Sequence, residues 1–563
     1  MIPYRGRFLW LLILLPLLYL LLLFRLFQIQ ILQKDFFHQK ASTLQDTSIT
    51  ISPRRGDIVD RNWIPLATDR LSYSVFYRPV SSSLPQSEKL VKLASLLGYP
   101  KKTLNEKLNL GKFVYLRKDV DIDLVQQIKK YRLKGIEWEE KFARFYPSGQ
   151  LAAPVLGFVG RERKGLSGIE LLYDQYLKGK EGVIQAEKDG RRRILPSSRK
   201  ILVAPEEGCR VRLTLDEKLQ YILEDELSKT HQHTHAKASI GILMNPQNGE
   251  ILAMASYPSF NPNSFWKFPS TSYKNRAISM VYEPGSTFKV ITLASALEEG
   301  KVSPEKRIFC EKGKYTLYNH TIHDHEPYGW LSVREVLWHS SNIGMTKIGM
   351  KLGEKQLYTY IKKFGFGEKT GIDLPGEEKG ILRDYSKWSK ISIGAIPYGQ
   401  EIGVTPLQLA VAVSAIANGG YLIKPYIVKE IERDGNIILH RKKEIVRQVI
   451  STTTAEIMKE IMVGVVEKGT GRKARISGYK IAGKTGTAQK YVPGKGYKAR
   501  KYTASFIGFL PASHPELLLL IVIDEPKGIY YGGEVAAPCF KRVIERILCY
   551  WIPQPKGKIM AKR

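Results

Sequence analysis

Residues 8–24 carry no charged side chain and are dominated by leucine, and this run constrains the chain more than any other feature. With the apolar patches that continue past Arg25 to Leu32, a helix here just crosses a hydrocarbon layer of about 30 Å, with Arg25 snorkelling at the far face. Arg5 and Arg7 precede the run and keep the N-terminus in the cytoplasm by the positive-inside tendency. A cleaved signal peptide would have a shorter apolar region ending in small residues. Bulky Phe24, Arg25, Leu26, Phe27 and Gln28 follow instead, which favours an uncleaved anchor. No later run is long enough to cross: residues 517–523 are apolar but have the length of a buried strand. Residues 1–7 are therefore expected as a cytoplasmic tail, 8–32 as anchor and juxtamembrane helix, and the rest as one extracytoplasmic body. ATP-dependent chemistry is not expected there, because that side of the membrane lacks the nucleotide.

At 563 residues the chain is too long for one ordinary domain. Its 43% hydrophobic and 25% charged residues place it among globular chains rather than disordered ones. A net charge of +33 favours anionic partners. Its basic clusters, Arg191 to Arg193, Lys498 to Lys501 and the tail at 554–563, are scattered. No aromatic-interleaved nucleic-acid module stands out, so the charge reads as a solvated basic surface. Cys209, Cys310, Cys539 and Cys549 are too few and too spread for a disulfide framework or a zinc site.

After the anchor, residues 48–205 mix short strands and helices, punctuated by Tyr146-Pro147-Ser148-Gly149 and by glycines near 179–182. A basic stretch at 191–200 reads as a linker, and the main boundary falls near 205–208. In the second half, 240–244 and 251–255 form a hairpin around Asn245-Pro246-Gln247-Asn248-Gly249. Apolar spacing predicts a helix from Ser286 to Leu297, stopped at Gly300. Ser332 with Glu335, and Thr405 with Gln408, are capping boxes, the second with proline at the first helical position. Residues 476–488, 505–510 and 517–523 read as strands, and about 536–550 as a closing helix. The fold class expected is α+β: one transmembrane helix, a mixed α/β domain, and a C-terminal domain with an antiparallel sheet flanked by helices.

Three strings carry chemistry: Ser286-Thr287-Phe288-Lys289, Ser340-Ser341-Asn342 and Lys484-Thr485-Gly486-Thr487. Each alone is weak, since S-x-x-K recurs at Ser197, Ser264, Ser303 and Ser477, K-T-G at Lys369, and S-x-N at Ser259. Context separates them. Ser286 follows Glu283-Pro284-Gly285 and opens an apolar helix, where the dipole favours developing negative charge. Lys289 lies on the same helical face and can reach the serine oxygen. A buried lysine can lose its proton near neutral pH and act as base. Lys484 lies in an alternating strand, whereas Lys369-Thr370-Gly371 lies in a glycine-rich loop. Ser340 is expected near the end of a capped helix.

The ordered set S-x-x-K, S-x-N, K-T-G-T resembles the penicillin-binding protein and serine β-lactamase superfamily. Arg55-Gly56-Asp57-Ile58-Val59-Asp60-Arg61-Asn62, Arg144-Phe145-Tyr146-Pro147 and residues 165–170 resemble the non-catalytic pedestal, or dimerisation-type domain, of class B members. Tyr398-Gly399-Gln400 and Val404-Thr405-Pro406-Leu407-Gln408 resemble a further stretch of the transpeptidase domain, expected over 206–553. Ser340-Ser341-Asn342-Ile343-Gly344, Ser505-Phe506-Ile507-Gly508-Phe509, Asp524-Glu525-Pro526 and Tyr531-Gly532-Gly533 resemble the septal, FtsI-like branch. Two residues depart from the pattern: Trp63 stands where the pedestal usually has glycine, and Cys539 where the closing helix usually has valine.

The resemblance implies a D-Ala-D-Ala transpeptidase that cross-links peptidoglycan through an acyl-enzyme, without cofactor or metal, and that β-lactams acylate. It implies Ser286 as nucleophile, Lys289 as base, Ser340 as proton shuttle and Asn342 as holder of the substrate amide. Lys484, Thr485 and Thr487, with Gly486, would bind the terminal carboxylate, and the backbone N–H groups of Ser286 and Thr487 would form the oxyanion hole. Implied partners are an FtsW-like glycosyltransferase of the shape, elongation, division and sporulation family, other divisome proteins and the membrane. Alternatives are an elongation-type transpeptidase, a β-lactamase or D,D-carboxypeptidase, and a non-enzymatic penicillin sensor. A secreted β-lactamase would not need the pedestal and anchor, and a sensor would need a cytoplasmic signalling domain. The histidines of His231-Gln232-His233-Thr234-His235 and of His320, His323, Asp324, His325 read as surface or hydrogen-bonded groups rather than metal ligands.

Overall fold

The computed structural model describes residues 4–79, 87–189, 194–318, 320–490, 494 and 501–550. The basic clusters at 191–193 and 498–500 and the tail at 554–563 lie outside the described residues. The chain separates into two compact units, residues 1–54 with 179–207 and residues 55–178 with 208–563.

The first unit begins with the helix Tyr4–Phe27, continued by a π-helical turn Gln28–Leu32. Residues Phe8–Leu32 are long and apolar enough to span a membrane, and no part of the described protein covers them. Pro16 sits inside the span, where its missing donor is tolerated more readily than in a soluble helix. A helix Lys34–Gln45 follows, and then a three-stranded antiparallel sheet of Asp46–Ile51, Gly182–Glu187 and Lys200–Val203.

The second unit holds two larger sheets. One runs in the order Asn436–His440, Val428–Arg433, Arg210–Leu213, Ile58–Val59, Pro65–Tyr77, Val114–Val120, with Ile136–Phe145 also paired to Pro65–Tyr77. Strand Arg210–Leu213, just past the linker, thus pairs with strands from both halves of the sequence. The three pedestal stretches picked out in the sequence meet beside this sheet. Arg55 is 1% exposed and donates to the Glu170 carboxylate at 2.7 Å and to Asp174 at 2.7 Å. Arg144 takes the other oxygen of Glu170 at 2.6 Å, and Tyr146 donates to it at 3.2 Å. Trp63 has a φ of 69°, which explains why glycine suits that position. Its turn is held by the Asp60 carboxylate, which accepts from the N–H groups of Asn62 and Ile64, and Arg212 stacks 4.4 Å from its ring.

The other sheet is fully antiparallel, in the order Ile251–Tyr257, Ala238–Met244, Leu517–Asp524, Tyr502–Leu510, Ala482–Gln489. Its central strand, LLLLIVID, is buried along its whole length because both faces are covered. Leu517, Leu519, Ile521 and Ile523 pack with the closing helix Gly532–Tyr550 and the helix Glu217–Thr234. Leu518, Leu520 and Val522 face the core built on the helices Lys289–Glu298 and Pro406–Ala417. Alternate residues thus serve two cores, which is why this strand is an unbroken apolar run rather than an alternating one.

Both capping boxes form. Three sequence expectations shift. The strand read over 476–488 begins at Ala482, because Gly478, at φ 82°, turns the chain and Ile476 bridges back to Tyr479. The helix after Ser332 ends at Trp338, so Ser340 sits between it and the next helix, Asn342–Leu352. The helix read from Ser286 opens with a 3₁₀ turn, Gly285–Phe288, before the α-helical part Lys289–Glu298.

Candidate active site

The candidate site lies where the edge strand Ala482–Gln489 meets the 3₁₀ turn that carries Ser286. Two glycines permit this approach. A Cβ on Gly486 would come within 2.3 Å of Ser505 Oγ and 2.8 Å of Thr287 Cγ2. A Cβ on Gly399, which has a φ of 86°, would fall 2.2 Å from the Gly285 carbonyl oxygen. The Tyr398-Gly399-Gln400 stretch therefore buttresses the turn that carries Ser286, and Gly285 N–H donates to the Gly399 carbonyl at 3.0 Å. Thr287 Oγ1 donates to the Pro284 carbonyl at 2.7 Å and closes the turn.

Lys289, one turn beyond the half-buried Ser286, is fully buried. Its Nζ donates to Asn342 Oδ1 at 2.7 Å, to Ser340 Oγ at 3.2 Å and to the Ser340 carbonyl. Lys484, also fully buried, reaches the same Ser340 Oγ at 2.9 Å from the opposite side, and the Thr485 carbonyl at 3.0 Å. Ser340 is held at φ 60°, a left-handed conformation that costs a serine energy and persists only where its surroundings enforce it.

Burial drives both ammonium groups toward neutrality. It lowers the Lys289 pKa to about 7 against a partial counterweight from Asp324. Burial first, and then the charge of Lys289, pull Lys484 well below its ordinary value. Ser340 Oγ, with one proton and two lone pairs, can accept from a charged lysine while donating to a neutral one. The three side chains thus form a short path along which a proton can move.

On the strand, Thr485 Oγ1 lies 2.7 Å from Thr470 Oγ1, and Thr487 Oγ1 accepts from Gly532 N–H at 3.0 Å, leaving its own proton to donate. Ser286, Lys289, Ser340, Asn342, Lys484, Thr485, Gly486 and Thr487 are therefore gathered at one junction.

The competing strings are placed elsewhere. Ser264 lies in the 3₁₀ segment Pro262–Lys267, Ser303 is an exposed residue ahead of Pro304, Ser477 is in the turn before the edge strand, and Ser197 is in the first unit. Thr370 and Gly371 of the second K-T-G bind the Glu377 carboxylate. Phe260 of the second S-x-N is buried among Phe158 and Tyr273.

One residue the sequence reading missed is Asp324. Its carboxylate accepts from Ser341 Oγ at 2.5 Å, Asn342 N–H at 2.5 Å and Ile343 N–H at 3.1 Å. It therefore neutralises the exposed donors at the start of the helix Asn342–Leu352, and the neighbouring His323 carbonyl accepts from Asn342 Nδ2 at 2.9 Å. The sequence signal was there, between two histidines, but it was weighed only as a metal ligand.

A family model described as the penicillin binding protein transpeptidase domain matches residues 240–545, and one described as the penicillin-binding protein dimerisation domain matches residues 50–213. Stage V sporulation protein D of Bacillus subtilis is 37% identical over 95% of this chain and 84% of its own length. Peptidoglycan D,D-transpeptidase FtsI of Escherichia coli is 31% identical over 94% of this chain and 89% of its own. The crystal structure of penicillin binding protein 3 from Mycobacterium tuberculosis complexed with aztreonam aligns with a TM-score of 0.70 at 26% identity, covering 89% of this chain and 97% of that one. With both domains matched in order and relatives aligned along nearly the whole length, the chain belongs to the class B penicillin-binding proteins, the two-domain family of peptidoglycan D,D-transpeptidases.

Proposed function

We propose that the junction of the edge strand and the 3₁₀ turn is the acyl-transfer site. Its carrying observation is that two fully buried lysines from different elements converge on one serine hydroxyl. Ser286 Oγ attacks the carbonyl carbon of the penultimate D-alanine in a donor stem peptide, and its proton passes to neutral Lys289. The oxyanion is held by the N–H groups of Ser286 and Thr487. Such donors are worth about 3–4 kcal/mol each in other enzymes. As the C–N bond breaks, Ser340 delivers the proton to the leaving D-alanine amine, leaving an acyl ester on Ser286. Asn342 holds the substrate amide, and Lys484, Thr485 and Thr487 hold the terminal carboxylate. An amine from a neighbouring strand then attacks the ester, forms the cross-link and returns the proton to Ser286.

The apolar N-terminal helix anchors the protein in the membrane as a single pass, with residues 1–7 in the cytoplasm and the catalytic unit outside. The enzyme works at the division septum beside an FtsW-like glycosyltransferase. The sporulation name of one relative favours a second deployment of the same chemistry, in spore formation. Depletion separates these readings. Filamentation supports the septal role, rounding an elongation role, and normal growth without spores the sporulation role. For the chemistry, a mass spectrum after β-lactam treatment should place one adduct on Ser286, and an adduct on another serine would sink the assignment.

A further inference from the structure

The helix Glu217–Thr234 packs against the closing helix Gly532–Tyr550, and beside that contact it borders a cavity of about 750 Å³. The two helices run antiparallel. Arg542 and Arg546 meet Glu226 and Asp225, and at the far end the Lys218 ammonium lies 4.7 Å over the Tyr550 ring. Another wall of the cavity is the pedestal turn at Ser148 and Leu151. Ser148 Oγ donates to Glu217 Oε1 at 3.0 Å, and Ala152 N–H donates to Glu224 Oε1 at 2.8 Å. The cavity thus lies where the pedestal turn is fastened to the helix, and none of its lining residues belongs to the acyl-transfer junction.

Its lining is apolar and acidic. Leu151 and Ile222 are nearly buried, whereas Tyr221 keeps 57% of its surface exposed. Of the three carboxylates, Asp225 is neutralised by Lys229 at 2.8 Å and by Arg546. Glu217 and Glu224 form no ion pair among the described residues. Glu224 spends Oε1 on both of its hydrogen bonds, from Ala152 N–H and from Gln220 Nε2 at 2.7 Å, and Oε2 takes none among the described residues. Burial pushes this carboxyl up to about 7, against the partial pull of those two donors. A cation in the cavity would supply the counter-charge that the wall lacks.

Tyr550, where the described chain stops, is itself on the wall. The sequence goes on with Trp551 and Ile552 and then Lys556, Lys558, Lys562 and Arg563, and residues 551–563 contain no acidic side chain. This order, apolar and then cationic, complements the lining. The reach suffices: six residues from Tyr550 to Lys556 extend to about 20 Å, and Glu217 to Glu224 is about 10 Å of helix. Tethering at Tyr550 also holds the segment near the cavity at roughly millimolar effective concentration.

We propose that residues 551–563 dock in this cavity, with Trp551 and Ile552 against Tyr221 and Ile222 and the lysine ammonium groups on Glu217 and Glu224. Docked there, the segment is an intramolecular clasp that holds the pedestal turn onto the helix Glu217–Thr234.

The test is zero-length carbodiimide coupling of the full-length protein in detergent micelles, using an equal mixture of isotope-labelled and unlabelled chains. Mass spectrometry is expected to find Lys556 or Lys558 joined to Glu217 or Glu224 within one isotopic species. Links that mix the isotopes would assign the cavity to the tail of a second copy and overturn the proposal. So would Glu217 and Glu224 that couple only to added glycinamide, a result that would leave the cavity to a cationic partner. A second measurement reads the clasp itself. With Lys556→Glu and Lys558→Glu combined, amide hydrogen exchange across residues 148–152 is expected to speed up about tenfold, while Ser286 still labels with fluorescent penicillin. Exchange that stays at the wild-type rate would overturn the proposal as well.

Discussion

The second unit buries charge in two places and handles it in opposite ways. In the pedestal, Arg55 and Arg144 converge on Glu170, with Asp174 also facing Arg55 and Asp69 also facing Arg144, so each buried cation meets carboxylates. Burial works against the Arg144 cation, but Glu170, Tyr146 and Asp69 outweigh it and hold its pKa above the ordinary value. In the site, Lys289 and Lys484 converge on a neutral hydroxyl, and the nearest anion, Asp324, is spent on a helix terminus. There burial wins and both pKa values fall. A paired buried charge locks the chain and stays charged. Like charges buried together give up a proton, and a lysine that has done so near neutral pH is a base. The pedestal cluster thus has the electrostatics of architecture, and the lysine pair has those that base chemistry requires.

The largest effect that would test this contrast is total. Ser286→Ala should abolish covalent labelling by fluorescent penicillin, and Lys289→Ala should cut the acylation rate by about 10²–10⁴-fold, the usual worth of a general base. Neither should lower Tm much, since removing a buried cation relieves a desolvation cost. A collapse in Tm for Lys289→Ala would mean that the lysine is structural.

Glu170→Ala should do the reverse. Leaving Arg55 and Arg144 buried without their shared carboxylate should cost about 3–5 kcal/mol of stability in a denaturant melt. The folded fraction should still label at Ser286, and unchanged stability would refute the architectural role.

Acylation by a β-lactam should rise with pH through about 7, because only neutral Lys289 accepts the proton. Below that value the neutral fraction, and with it the rate, falls about tenfold per pH unit. A rate flat from pH 5 to 8 would exclude Lys289 as the base.

Asp324→Asn is the subtlest of the four. Its anion favours the protonated form of Lys289, so removing it should move the midpoint of that pH profile downward. The loosened Asn342 should slow acylation by roughly tenfold. A midpoint that moves upward, or does not move, would mean that Asp324 braces the helix without reaching the lysine electrostatically.

Much of this was legible from local pattern. The unbroken apolar run at 517–523, the capping boxes at Ser332 and Thr405, and the hairpin around Asn248-Gly249 all formed where expected, because neighbouring residues decide them. The three strings that converge at the candidate site were separable from their copies by flanking residues alone. The start of the edge strand was less legible, since 476–481 alternates like a strand until Gly478 turns it. Ser340 does lie near the end of the capped helix, just past Trp338, but its left-handed backbone between two helices had no local signature. Asp324 was visible as a residue but not as a cap, because the helix it caps begins 18 residues later.

By itself the sequence determined most of the elements and the apolar N-terminal helix, and it picked out the candidate reacting groups, since periodicity, capping and residue type are short-range properties. Tertiary structure alone decided that Lys484, 144 residues from Ser340 along the chain, and Lys289, 51 residues from it, would share one hydroxyl. Their lowered pKa values exist only because closure of the sheet against the helix Lys289–Glu298 removes water from both ammonium groups at once.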